Sequence, residues 1–78
     1  MPAATLFNLK PGQSARIQSI DAEEALYLRL LALGFRIGKR VELVRRARFY
    51  GPVHIRIGTT DVMMRPAEAQ RIEIDNIK

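Results

Sequence analysis

Asp21-Ala22-Glu23-Glu24-Ala25-Leu26-Tyr27-Leu28-Arg29-Leu30-Leu31-Ala32-Leu33-Gly34 is the stretch at which the apolar pattern of this chain changes period. Asp21 suits a helix N-cap, because its carboxylate can accept from free backbone N–H groups, and Glu24 stands three positions on as in a capping box. Gly34 can take the left-handed conformation that closes a helix. The spacing therefore predicts one helix from about Ala22 to Leu33. Beyond it the apolar residues alternate: Val41 and Leu43, then Val53, Ile55 and Ile57, then Val62 and Met64, then Ile72 and Ile74. Four short strands are expected after the helix.

Upstream, Lys10-Pro11-Gly12 is a turn signal and Ala15–Ile20 reads as a first strand, with Ile17 as its core contact. Gly51-Pro52 separates two of the later strands, and Gly58-Thr59-Thr60-Asp61 is short enough for a hairpin connection. Pro66-Ala67-Glu68-Ala69-Gln70 has room for a single helical turn. One echo runs through the chain: Leu9-Lys10-Pro11-Gly12 leading to Ile17 is matched by Phe35-Arg36-Ile37-Gly38 leading to Leu43, at the same spacing. It reads as a recurring turn-into-strand device. Parallel crossovers need about a dozen residues or more each, which the chain lacks. The expected fold is mainly β: a small, strongly bent antiparallel barrel of about five strands with one α-helix inserted after the first.

The chain has 78 residues, 47% of them apolar, and no cysteine. It is expected to form a single domain over residues 1–78, with a core spanning about 6–75, held by packing alone. The segment Met1-Pro2-Ala3-Ala4-Thr5-Leu6-Phe7 has neither a basic start nor a sustained apolar run, and no window reaches the ~18 apolar residues of a membrane span. A cytoplasmic protein without direct membrane insertion is expected. The net charge of +5 attracts nucleic acid, anionic lipid and acidic proteins alike, so it does not choose among them.

The side-chain inventory points away from an enzyme. His54 is the only histidine, no thiol is present, and no nucleophile motif occurs. Val53, Ile55 and Ile57 claim one face of their strand, which leaves His54 beside Arg56 on the other. Asp21, Glu23 and Glu24 are explained by helix capping rather than by a hard-cation loop, which needs about six oxygen donors. The glycines stand singly, so no phosphate cradle is formed. No cofactor and no metal ligand set is expected.

At 100° per residue, Leu26, Leu30 and Leu33 form the helix stripe that faces a core, Tyr27 and Leu31 flank it, and Leu28 points away. This surface is wider than one small sheet covers. Either Leu6-Phe7-Leu9 packs over the second helix face, or that face docks another protein or a second copy of the chain. A basic run of Arg36, Lys39, Arg40, Arg45, Arg46 and Arg48, opposed only by Glu42, leads into Phe49-Tyr50-Gly51-Pro52. Guanidinium groups beside rings suit single-stranded nucleic acid, a protein partner, or a solvated edge that resists aggregation. Stacking needs rings displayed on a sheet face, and Phe49 is also a core candidate, so nucleic acid is the least favoured of the three.

The series Leu6-x-x-Leu9-x-x-Gly12, Leu30-Leu31-Ala32-Leu33-Gly34-Phe35-x-Ile37-Gly38, Ala47 through Gly51-Pro52-Val53, and Met64-Arg65-x-x-Glu68-Ala69-x-x-Ile72-x-Ile74 resembles the FeoA-type domain of bacterial ferrous iron uptake. It is also similar to the SH3-like domain of some iron-responsive repressors. The resemblance covers Leu6 to Ile74. It implies an SH3-like barrel, no catalysis, and a regulatory or assembly role at the cytoplasmic side of FeoB, a membrane transporter with a GTPase domain. Ile37 before Gly38 departs from the family pattern, and so does Ala47-Arg48-Phe49-Tyr50, which makes the loop before Val53 more basic and aromatic. The expected contact surface is Tyr27, Leu28 and Leu31 on the helix with Arg48, Phe49 and Tyr50 in that loop. The alternative is a basic SH3-like module that binds nucleic acid or works beside a repressor.

Overall fold

The computed structural model describes residues 4–78, so the Met1–Ala3 part of the N-terminal reading lies outside the described residues. After a 3-10 turn at Leu6–Asn8 come β1 (Ser14–Ile20), α1 (Glu24–Ala32), β2 (Arg40–Arg46), β3 (Val53–Ile57), β4 (Thr60–Met64), the one-turn helix α2 (Pro66–Ala69) and β5 (Ile72–Asp75). The strands form one antiparallel sheet in the order β4-β3-β2-β1-β5. Register shifts between Ile17 and Ser19 and between Leu43 and Arg45 bend β1 and β2 and deepen the twist. The sheet's two edges are β4 and β5, and α2 carries the chain between them.

The period-two residues are those that fill the interior. Ala15, Ile17, Val41, Leu43, Val53, Ile55, Ile57, Met64, Ile72 and Ile74 are buried together with Leu6, Leu9, Leu30, Phe35 and Ala69. Among the described residues no polar or charged residue is buried with them. Gly58, the first residue of the two-residue β3–β4 connection, takes φ 61, as primed hairpin turns require.

The sequence echo has a structural meaning. Gly12 and Gly38 adopt φ 89 and φ 90, and each donates its N–H to the other turn's strand: Gly12 to the Leu43 carbonyl and Gly38 to the Ile17 carbonyl, both at 2.8 Å. Gln13 donates to the Lys10 carbonyl at 2.9 Å and Lys39 to the Arg36 carbonyl at 3.0 Å, closing the two turns in the same way. The residues opening the two copies, Leu9 and Phe35, are both buried. The β1–β2 pair is thus clamped at both ends by one device used twice.

One expectation requires correction, and one pair of alternatives is decided. The helix begins at Glu24, not Ala22, with Glu23 as its N-cap and no side-chain capping bond. Asp21 lies two residues ahead of that cap: its N–H donates to the Arg71 carbonyl at 2.8 Å, which carries the β1–β5 pairing past Ile20 and delays the helix. Leu6-Phe7-Leu9 does not cover the second helix face. Leu6 and Leu9 enter the core, Phe7 packs beside the β2–β3 loop, and Leu28 keeps 55% of its surface exposed. The core takes the leucines because a fully buried side chain of that size gains roughly 1.5–3 kcal/mol.

At φ near +90 an alanine is strained although nothing lies within 4 Å of a Cβ built on Gly12 or Gly38. Gly12→Ala and Gly38→Ala should therefore each destabilise the fold by about 1–2 kcal/mol, by similar amounts, in denaturant unfolding. A neutral result at either position would contradict the paired clamp.

Candidate contact surface

Helix α1 touches the body along one stripe. Leu30 is buried and Leu26 and Leu33 are half-buried against the core, while Leu31 is half-buried and Tyr27 and Leu28 are exposed. Arg29 forms an ion pair with Glu68 of α2, which fastens that flank of the helix. Glu68 also accepts a hydrogen bond from the Arg65 N–H at 3.1 Å. The opposite flank, with Tyr27 and Leu31, and the outer side with Leu28 carry the unpartnered apolar surface.

The β2–β3 loop is a tight turn at Arg48–Gly51, in which the Gly51 N–H donates to the Arg48 carbonyl at 3.1 Å. Its two central residues, Phe49 and Tyr50, lie at φ 59 and φ 60. This is the geometry of a type I′ turn, which favours Asn-Gly, and a left-handed conformation costs a bulky residue roughly 1–2 kcal/mol. Surrounding contacts hold it. The Tyr50 hydroxyl accepts from Gln70 Nε2 at 2.9 Å, and its ring meets the edge of Phe7 at 5.3 Å. Arg46 stacks over the Phe7 ring at 4.4 Å and donates to the carbonyls of Phe7 and Leu9, the latter at 2.7 Å. A Cβ on Gly51 would stand 2.8 Å from the Ala47 Cβ, so the turn closes only with glycine there. Phe49 itself is 98% exposed, which removes it from the core candidates.

The basic run does not form one patch. Arg46 turns inward to the N-terminal segment, and Arg40 Nη1 donates to Ser14 Oγ at 3.3 Å and to the Asn76 carbonyl at 3.4 Å. Arg36 and Lys39 lie by the Gly58–Thr60 hairpin, whereas Arg45 and Arg48 lead into the aromatic turn. On the outer sheet face, Arg56 stands opposite both Glu42 and Asp61 and donates its Nε–H to Asp61 Oδ1 at 2.9 Å. That hydrogen bond holds the Asp61 carboxyl below its ordinary value of 3.8, helped by the charge of Arg56. His54 Nε2 lies 3.5 Å from Asp61 Oδ2 without a hydrogen-bonding geometry. A continuous phosphate-binding groove is not formed by this mixture of signs. Among the described residues no three His, Cys, Asp or Glu side chains are placed to hold a metal ion.

A FeoA domain profile matches residues 4–76. The chain belongs to the FeoA family. A Campylobacter jejuni protein provisionally named Fe(2+) transport protein A is 33% identical over 73 residues, which cover 94% of this chain and 99% of that one. The crystal structure of Stenotrophomonas maltophilia FeoA, described as a zinc complex of an SH3-domain protein, is 32% identical with a TM-score of 0.83, covering 94% of this chain and 91% of that one. The solution structure of iron(II) transport protein A from Clostridium thermocellum is 32% identical with a TM-score of 0.87, and covers 92% of this chain but only 44% of that one. The SH3-like antiparallel fold read from the sequence is the fold of this FeoA chain. No described helix is long and apolar enough to cross a membrane.

The six expected contact residues fall in two groups, on α1 and in the β2–β3 turn, and no hydrogen bond, ion pair or ring contact among the described residues joins them. Three exposed apolar residues escaped the sequence reading, Ile37, Met63 and Ile77, at 71%, 64% and 43% exposure. The first two carried a signal. Ile37 occupies the place of Pro11 in the echoed turn, and Met63 alternates with the inward Val62 and Met64.

Removing the Arg46 guanidinium strands two carbonyls and uncovers Phe7, so Arg46→Ala should lose about 2 kcal/mol and the Phe7–Tyr50 contact in NOE spectra. Unchanged stability with the contact intact would contradict that role. Because the folded Asp61 pKa is depressed, its pairing supports the fold above the unfolded value and this support disappears as pH falls through the folded value. NMR titration of the Asp61 carboxyl should give a midpoint below 3.8 that rises in Arg56→Gln; a midpoint at or above 3.8 in the parent chain would contradict the pairing.

Proposed function

We propose that this FeoA-family chain is a non-enzymatic accessory protein of ferrous iron uptake that acts by contact with the cytoplasmic, GTPase-bearing part of a FeoB-type transporter. The observation that carries the reading is a core that closes while part of the apolar surface of α1 and of the β2–β3 turn stays in water. Fifteen apolar residues close the interior, while Leu28 and Tyr50 remain 55% and 62% exposed and Phe49 almost wholly so. Ordered apolar surface of this kind, set beside cations, suits a protein interface. The names of the relatives supply the transport context.

Tyr27, Leu28, Leu31, Arg48, Phe49 and Tyr50 are the proposed contact residues. The dispersal of the basic run favours this reading over a nucleic-acid module, whose affinity would fall steeply with salt. Self-association through α1 would use the same leucines and competes for them.

Leu28→Glu places a charge on the exposed helix side without touching the core. Binding of the full chain to the intact transporter in detergent should weaken at least about tenfold, while circular dichroism and unfolding stay as in the parent. Unchanged affinity would remove α1 from the interface. A parent dimer dispersed by the same substitution in sedimentation equilibrium, without transporter binding, would assign the face to a second copy.

A further inference from the structure

Two properties of the β2–β3 turn do not fit a passive connection. Phe49 is the most exposed of the large apolar side chains at 98%, and it stands at φ 59 in a turn whose next residue, Tyr50, is also left-handed at φ 60. Backbone strain persists only where the surroundings over-determine it, and it gathers at functional positions. Here the surroundings grip the turn on both sides of the Phe49 ring, at Tyr50 and Gly51 and through the Arg46–Phe7 stack. Tyr50 is held by Gln70 and Phe7, Phe7 by Arg46, and Gly51 by its close approach to Ala47. The scaffold holds one large apolar ring in water at the expense of stability.

We infer that Phe49 is a preordered anchor that enters an apolar pocket on a protein partner, with Arg45 and Arg48 meeting carboxylates at the pocket rim. The inference rests on the contact reading above and names its central residue and the chemistry of its occupant. Charge supports the acidic rim: Arg45 and Arg48 are exposed, and among the described residues neither has a carboxylate within salt-bridge distance. Fixed backbone supports the pocket, because an anchor already held in its bound form loses little freedom on binding, and buried aromatics dominate interface energetics. A lipid surface fits less well. Among the described rings Phe49 alone is almost wholly exposed, Tyr50 at 62% being held by Phe7 and Gln70, and even a single acyl chain gives only marginal membrane binding.

Asparagine tolerates the left-handed region, and Phe49 makes no buried contact, so Phe49→Asn separates strain from contact. The full chain and its Phe49→Asn and Leu28→Glu variants are titrated against nanodiscs carrying the intact FeoB-type transporter, and against empty nanodiscs containing phosphatidylglycerol, with thermal unfolding followed in parallel. Phe49→Asn should bind transporter discs at least tenfold more weakly, yet unfold about 4 °C higher. If Phe49→Asn binds like the parent while Leu28→Glu does not, the anchor is overturned and the contact reading stands. If the parent binds neither disc, both fall. Equal binding of the parent to empty and loaded discs would overturn the protein pocket in favour of lipid, and a lower unfolding temperature for Phe49→Asn would overturn the strained display.

Discussion

The structure depends on the reciprocal bonds between two glycine turns. Gly12 reaches the Leu43 carbonyl and Gly38 reaches the Ile17 carbonyl, so the β1–β2 ladder is fixed from both ends by main-chain groups alone. A one-residue slip would carry Ile17, Val41 and Leu43 to the solvent face, and the two turns leave no room for it. The other strands add to this pair, β5 on β1 and β3 on β2, with β4 on β3. Positive φ at both glycines is what makes the device possible in such a short chain.

One consequence concerns α1. The Gly38 bond to Ile17 closes a loop that contains the whole helix, so the helix is tethered at its ends rather than wedged into the sheet. It contributes Leu30 to the core, is followed by the buried Phe35, and gains one ion pair through Arg29. Leu26 and Leu33 pack against that core, and Tyr27 and Leu28 stay exposed. The β2–β3 turn reaches a similar result by another route, with Arg46 and Phe7 forming a support beneath Tyr50. The core and the exposed apolar surface are therefore built from different residues, and a change on one need not disturb the other.

The later strands were legible because their apolar residues alternate in sequence, most fully in Val53-His54-Ile55-Arg56-Ile57, where each apolar residue is buried. Gly34 marked the helix end for a local reason, its φ of 103. The helix start was misread because the β1–β5 pairing runs on through the Asp21 N–H, which holds the chain extended there and moves the N-cap to Glu23. The exposed surface was legible on α1, where periodicity sets Leu28 opposite Leu30. In the loop it was only half legible. Phe49 and Tyr50 were marked by composition, but nothing local predicts two aromatic residues in a turn that favours Asn-Gly, since the support comes from Phe7, Arg46 and Gln70 elsewhere in the chain. The role of Arg46 was hidden for the same reason: as one of six neighbouring cations it looked like solvated charge.

Amide hydrogen exchange of the full chain, alone and bound to the transporter, tests the division between clamp and contact surface most directly. The Gly12 and Gly38 amides should exchange as slowly as those of β1 and β2 in both states, while new protection on binding gathers at Tyr27–Leu31 and Arg48–Tyr50. Rapid exchange at either glycine in the free chain, or new protection confined to the outer face of β3 and β4, would contradict the account.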